Sequence, residues 1–292
     1  MNPILRKLIY CGFLAFLISC QAGKEKETHP NMIVILADDL GWNQLGCYGG
    51  PYRTPNIDEL ATGGMRFTNA YASAAVCSPT RAALMTGKYP ARLHLTDFIK
   101  GGDFPDSLLY QPDWQKFLPL DEITLGEVFR EKGYRTALFG KWHLSREKKP
   151  PESEAFNPDK QGFDEYMVTY KPVPGVTDPE HDPHNVDGIT DRAIRFLEEY
   201  QKDPFFLVVS HNAIHDPIME SRESIKAFRA SGPDPVYSVN PILGAMVGRL
   251  DGGTGRLLDK LDELGLEKNT IVFFCSDNGG KLAWKDCCRD PE

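Results

Sequence analysis

Several things are scarce in this chain of 292 residues, and each scarcity excludes something. Cysteine is sparse: seven residues, at positions 11, 20, 47, 77, 275, 287 and 288. Cys11 and Cys20 fall in the leading segment, and the other five have no regular spacing, so a disulfide framework is not expected. Positive charge does not predominate. Lys and Arg total 33 against 41 for Asp and Glu, a formal net charge of −8. That leaves no basic footprint, and nucleic acid is not an expected partner. An anionic substrate is not excluded, because a few cations lining a site outweigh the global sum there. No internal repeat and no low-complexity segment interrupts the chain.

The leading segment carries an export pattern. Arg6 and Lys7 precede a short apolar run, Leu8 to Ile18, too short for a comfortable membrane span. The run ends in Leu17-Ile18-Ser19-Cys20, which resembles a bacterial lipobox. That resemblance implies that Cys20 becomes the lipidated first residue of a mature protein. The protein would then be carried across the inner membrane and anchored in the periplasm or on the cell surface. An ordinary signal peptide with an incidental cysteine is the plain alternative. Residues 1–20 are thus read as signal and 21–30 as a polar tether.

From residue 31 the pattern alternates. Met32–Ala37, Arg135–Phe139, Phe205–Ser210 and Thr270–Cys275 read as strands, and the apolar ones as buried on both faces. Pro55–Thr62, Thr124–Lys132, Gly188–Gln201 and Ile242–Leu264 read as helices, the last with a weak point at Gly252-Gly253. Strands alternating with helices predict an α/β fold: a doubly wound, mostly parallel sheet flanked by helices.

Polar residues stand just beyond the end of each strand. Asp38-Asp39 comes after the first, Gly140-Lys141-Trp142-His143 after the second, His211 and His215 after the third, and Asp277-Asn278-Gly279-Gly280 after the fourth. Ligands of open α/β sheets bind beyond the carboxyl ends of the strands. Taken singly, Asp-Asp or Asp-Asn beside Gly is a turn, and a lone Lys or His is ordinary. Together, Asp38, Asp39, Asp277 and Asn278 form a hard oxygen set that suits Ca²⁺, with Mg²⁺ second, and disfavours Zn²⁺.

Cys77-Ser78-Pro79-Thr80-Arg81 opens another helix, with Ser78 as the expected N-cap, Pro79 at the first helical position and Gly87 as the stop. The start of a helix favours a bound anion, and Arg81 adds a cationic fork one turn on. Cys77 on its own reads as a small buried hydrophobe, with a low-pKa thiolate as the second option.

This pentapeptide, with Ala82 to Gly87 and Lys88-Tyr89-Pro90, resembles the signature of the type I sulfatases, which belong to the alkaline-phosphatase-like superfamily. Thr80 stands where that family usually has serine. Ile35 to Gly41, Phe139 to Leu144, Ser210 to Ile218 and Ser276 to Gly280 resemble further blocks in the family's order, so 31–280 is read as the catalytic domain. The resemblance implies that Cys77 is oxidised to formylglycine by a formylglycine-generating or sulfatase-maturating enzyme. It implies a metal held by Asp38, Asp39, Asp277, Asn278 and modified Cys77. Arg81 and Lys141 would steady the formylglycine and the sulfate. His143 would take a proton from the diol hydroxyl, and His215, in a His-X-Pro block, would aid the leaving oxygen. His211 is expected to be structural. The activity implied is hydrolysis of a sulfated carbohydrate or aryl sulfate. The alternatives are a phosphate or phosphonate ester hydrolase of the same superfamily, or an inactive truncated product.

The pattern breaks after Gly280. The family continues with a second lysine and a C-terminal subdomain, whereas residues 281–292 resemble neither and read as an atypical, truncated or frameshifted tail. Lys281 or Lys285 is the candidate stand-in for that lysine. Two long insertions are expected to shape the site. Asp97–Asp121 carries Phe98, Tyr110 and Trp114, read as packing onto the core. Lys171–Asp187 carries Asp178, His181, Asp182 and His184, read as a solvated loop.

Overall fold

Alternating burial along the strands determines the layering. In β1 (Asn31–Ala37), Ile33 and Ile35 point to one face and Val34 to the other, and all three are buried. The computed structural model describes residues 29–101, 108–109, 113–146, 154–170, 172, 180–232 and 239–280. The expected signal, the Cys20 lipobox, Tyr110, Asp178, Lys281 and Lys285 lie outside the described residues.

In chain order the elements are β1, α1 (Pro55–Gly63), α2 (Cys77–Thr86), α3 (Pro90–Leu93), α4 (Leu125–Glu131), β2 (Arg135–Gly140) and β3 (Glu165–Val168). They continue with α5 (Val186–Tyr200), β4 (Phe205–Ser210), α6 (Arg222–Ala230), α7 (Pro241–Glu263) and β5 (Thr270–Ser276). The five strands form one sheet in the order β3-β2-β4-β1-β5, every pair parallel. On one face Ile33, Ile35, Phe139, Leu207 and Val209 pack against Ile189, Ala193 and Phe196 of α5 and Leu257 and Leu261 of α7. On the other, Val34, Leu138, Phe206 and Val208 meet Ala82 and Met85 of α2, with Phe129 of α4 alongside. Helices on both faces make the sheet doubly wound, as the alternation of strand and helix predicts.

The differences from expectation have local causes. β3 and α6 go beyond expectation: β3 is a short half-buried edge, and α6 is amphipathic, with Ile225 and Phe228 turned to the core and the rest of the helix exposed or half-buried. Gly252-Gly253 does not interrupt α7. At Gly253 an added Cβ would lie 2.8 Å from Thr190 Oγ1 of α5, so here glycine permits close helix packing. The α2 helix begins two residues early: Val76 is its N-cap, and Ser78 is buried inside it. Thr124 caps α4 through a box with Glu127.

Gly140 ends β2 with φ +113, and a Cβ there would sit 1.8 Å from Ser210 O. No side chain fits where β2 and β4 deliver Lys141 and His211. Gly140→Ala should therefore destabilise the fold by about 2–5 kcal/mol, combining backbone strain and overpacking. Chemical denaturation measures this; a loss under about 1 kcal/mol would mean that the strand ends relax freely.

Candidate active site

Parallel strands place all their carboxyl ends on one edge of the sheet, and four of the five deliver polar residues there. Asp38 and Asp39 leave β1, Lys141 and His143 leave β2, His211 and His215 leave β4, and Asp277 and Asn278 leave β5. Backbone bonds fix these exits: Asp38 N–H donates to Ala213 O (2.9 Å), Ile214 N–H to Asp38 O (2.7 Å), and Asp277 N–H to Ala37 O (3.1 Å). Asp39 and His143 are held at φ 59° and 56°, in the left-handed region where non-glycine residues are uncommon.

Helix α2 brings the remaining two groups. Arg81 is 2% exposed, and its guanidinium ties three strand ends together. Its Nε donates to Asp277 Oδ2 (2.9 Å), and its Nη1 donates to Lys141 O (2.8 Å) and Ser210 Oγ (2.6 Å). Its Nη2 lies 2.7 Å from Asp277 Oδ2 and 3.6 Å from Asp38 Oδ1. Lys141 Nζ donates to Asp38 Oδ2 at 2.6 Å. Despite its burial, Asp277 titrates below the usual carboxylate range, because Arg81 and Lys141 stand beside it. Asp38 is pushed up to about 8: burial, with Asp277 and Asp39 close by, outweighs Lys141 and Arg81.

Cys77 is the first residue of α2, and its Sγ lies 3.1 Å from His143 Nδ1. His143 Nε2 lies 3.1 Å from Ile99 O, an acceptor only, so that nitrogen carries the hydrogen. Nδ1 is then an unprotonated lone pair aimed at Cys77. Burial, reinforced by Lys141 and Arg81, lowers the His143 pKa to about 3 and keeps the ring neutral. Burial raises the Cys77 thiol, more than Lys141 and Arg81 lower it, so a thiolate at neutral pH is disfavoured. The low-pKa thiolate alternative therefore loses support.

The oxygen set fits a hard cation. Asp38 Oδ1 and Asn278 Oδ1 are buried with no hydrogen-bond partner, which is costly unless a cation satisfies them. One ligand atom each from Asp38, Asp39 and His215 lies within 4.8 Å of the others, so the geometry adds His215 to the candidate ligands. Asn278 Nδ2 donates to Asp39 Oδ1 (2.6 Å), leaving its carbonyl oxygen free. Asp277 is engaged differently: Oδ2 takes Arg81, and Oδ1 accepts from Asp39 N–H at 3.2 Å.

Other supporting groups were not legible in sequence. Ser78 Oγ accepts from Ile99 N–H (2.9 Å), so the hydroxyl expected to cap α2 instead pins the carbonyl that orients His143. Ser210 Oγ donates to Lys141 O (2.7 Å); its place at the end of β4 was the signal available. His184 does not belong to a solvated loop. It is 1% exposed, and its Nε2 lies 2.9 Å from His215 O. Asp182 Oδ2 accepts from Asp187 N–H and Gly188 N–H at the start of α5. His211 is buried and neutral, its pKa lowered to about 4 by burial, in keeping with a structural place.

Comparison with known proteins gives the same picture. A family model described as Sulfatase matches residues 30–286. Arylsulfatase A of Homo sapiens is 33% identical over 302 residues, covering 91% of this chain and 55% of that protein. N-acetylgalactosamine-6-sulfatase of Rattus norvegicus is 32% identical over 284 residues, covering 87% and 50%. Among solved structures, Ps i-CgsB superposes with a TM-score of 0.70 at 28% identity, covering 87% of this chain and 59% of that one. The chain spans about half the length of the curated relatives it matches.

Ca²⁺ at about 100 times its Kd should add about 2.7 kcal/mol to the unfolding free energy of chelator-treated protein. Asp39→Asn should remove most of that increment. An undiminished increment in the variant would place the cation elsewhere.

Proposed function

Because the chain belongs to the sulfatase family, we propose that it hydrolyses a sulfate ester and releases inorganic sulfate. The observation that carries the proposal is the 3.1 Å approach of His143 Nδ1 to Cys77 at an edge where Asp38 Oδ1 and Asn278 Oδ1 are buried and accept no hydrogen bond. Cys77 is to be oxidised to formylglycine by a maturation enzyme, and its hydrate supplies an oxygen nucleophile. A divalent cation, Ca²⁺ before Mg²⁺, supplies Lewis-acid stabilisation of the sulfate oxygens. Asp38, Asp39, Asp277, Asn278 and the modified Cys77 are the groups that would hold it, which leaves the His215 ring for the leaving oxygen.

The side chains divide the remaining work. Lys141 and Arg81 are fixed cations beside residue 77, pre-oriented by Asp38, Asp277 and Ser210. Charge stabilisation of this kind needs no reorganisation when the SO₃ group transfers. His143 Nδ1, neutral and lone-pair bearing, is positioned to take a proton from an oxygen on residue 77. His215 Nδ1 faces Asp216 O at 2.7 Å and must donate to it. Its Nε2 therefore gives a proton to the leaving oxygen from the imidazolium form. Burial and Lys141 oppose that form, whereas Asp39 favours it.

The substrate proposed is a sulfated carbohydrate or an aryl sulfate. Ps i-CgsB has also been solved in complex with k-i-k-neocarrahexaose, at a TM-score of 0.69 and 28% identity to this chain, which supports a carbohydrate. Lipid anchoring through Cys20, proposed from the Leu17-Ile18-Ser19-Cys20 pattern, would put the activity outside the cytoplasm.

Two measurements test it. Co-expressed with a sulfatase-maturing enzyme, the peptide containing Cys77 should weigh about 18 Da less than the thiol form. The protein should then release sulfate from 4-nitrophenyl sulfate in preference to phosphate from 4-nitrophenyl phosphate, and Cys77→Ala should abolish turnover. Undiminished turnover by that variant, or a preference for the phosphate, would contradict the reading.

A further inference from the structure

We propose that Arg249 of α7 is a positioning residue for His215. The proposal rests on the sulfatase reading of His215 and adds a residue bonded to none of the groups around Cys77 among the described residues. Arg249 is a knot joining three segments. Its Nε donates to both carboxylate oxygens of Glu220 (3.0 and 2.9 Å), and its Nη2 donates to Glu220 Oε1 at 2.8 Å. Nη2 also reaches His181 O (2.7 Å) and Ser224 Oγ (3.0 Å), and Nη1 pairs with Asp187. Its side chain is 15% exposed, and that of Glu220 is 2% exposed.

Glu220 and His181 sit on two straps that meet at His215, while Asp187 and Ser224 belong to α5 and α6. The first runs from His211 to Ser221 after β4. Its near end is bonded to β1 and to Asp38, through His211 N–H to Leu36 O and Ile214 N–H to Asp38 O. Its far end is Glu220, held by Arg249. The second strap is 180–185, held by Arg249 at His181 O and by Asp182 at the start of α5. It carries His184, whose Nε2 binds His215 O at 2.9 Å, and whose carbonyl accepts from Asn212 Nδ2 at 3.1 Å. Arg249 therefore anchors both the segment that bears His215 and the segment that grips its backbone.

Removing the guanidinium leaves the Glu220 carboxylate buried without its cation. It must then protonate or turn toward water. Turning moves the strap six residues or fewer from His215. A displaced imidazole costs most where the leaving oxygen is a poor one, because a good leaving group departs without a proton. Arg249 and Glu220 take no part in binding the cation or the SO₃ group, so a good leaving group should be nearly unaffected.

The test is the dependence of kcat/KM on leaving-phenol pKa across aryl sulfates from 4-nitrophenyl to phenyl sulfate. It compares the full wild-type chain, His215→Ala, Arg249→Met and the milder Glu220→Gln, each matured and assayed well below its own Tm. His215→Ala should lose about 10²–10⁴-fold on phenyl sulfate and far less on 4-nitrophenyl sulfate. Arg249→Met should tilt the plot the same way, losing about tenfold more on phenyl than on 4-nitrophenyl sulfate. A uniform loss across the series, or a wild-type slope, overturns the positioning role. If Arg249→Met does not fold, Glu220→Gln carries the same comparison, since it weakens the pair while keeping the side-chain shape. A wild-type slope in His215→Ala instead overturns the role of His215. A matured wild-type chain without turnover overturns the sulfatase reading and, with it, this inference.

Discussion

The site depends on one buried group of charges, Arg81 and Lys141 against Asp38 and Asp277. All four are nearly or wholly out of water, at 2%, 7%, 1% and 0% exposure. A buried ion pair is costly to desolvate and is weak stabilisation on that account. Its consequence here is geometric. Arg81 reaches from α2 to β5 through Asp277, to the residue after β2 through Lys141 O, and to β4 through Ser210. Helix α2 is thereby locked to three strand ends, and Cys77, one turn earlier on the same helix, is held over the same edge.

The two signs are not evenly matched. Lys141 and Arg81 face Asp38, Asp39 and Asp277; burial and the two neighbouring acids push Asp38 up to about 8, the mark of a site short of positive charge, and two buried oxygens lack donors. A divalent cation supplies both the missing charge and the missing partner. The same cluster keeps His143 neutral, because Lys141 and Arg81 add to the effect of burial. The free lone pair on Nδ1 thus follows from burial and the Ile99 carbonyl, with the flanking cations reinforcing it.

The fold was legible where periodicity was strong. The runs of β1, β2 and β4 are buried on both faces as expected, whereas β5 is an edge strand that leaves Ile271 and Phe273 exposed on one face; the strand bounds differ from expectation by a residue or so. β3, four residues long and half-buried, leaves little pattern, whereas the amphipathic pattern of α6, with Ile225 and Phe228 turned inward, was legible but unassigned. The polar residues after each strand marked the edge where they meet, as parallel topology requires. What sequence could not supply was the wiring between them. Ser78 looked like a helix cap, yet it serves Ile99 and so His143. His184 sat in a Pro- and Asp-rich stretch that read as solvated, yet it is buried beneath His215. Both depend on backbone carbonyls and amides, which every residue has and no motif distinguishes. Asp38, by contrast, was visible as half of an Asp-Asp pair, but its dual ties to Lys141 and Arg81 depend on a helix and strands far apart in the chain.

The most direct measurement is a double-mutant cycle in unfolding free energy between Arg81 and Asp277, in the full chain. Arg81→Met alone should cost about 3–5 kcal/mol, because it leaves Asp277 buried and uncompensated. Combined with Asp277→Asn, the loss should fall short of the sum of the single losses by about 0.5–3 kcal/mol. Additive losses would show that helix and strand are not joined through this pair, and the account of how Cys77 is held over the strand ends would then be wrong.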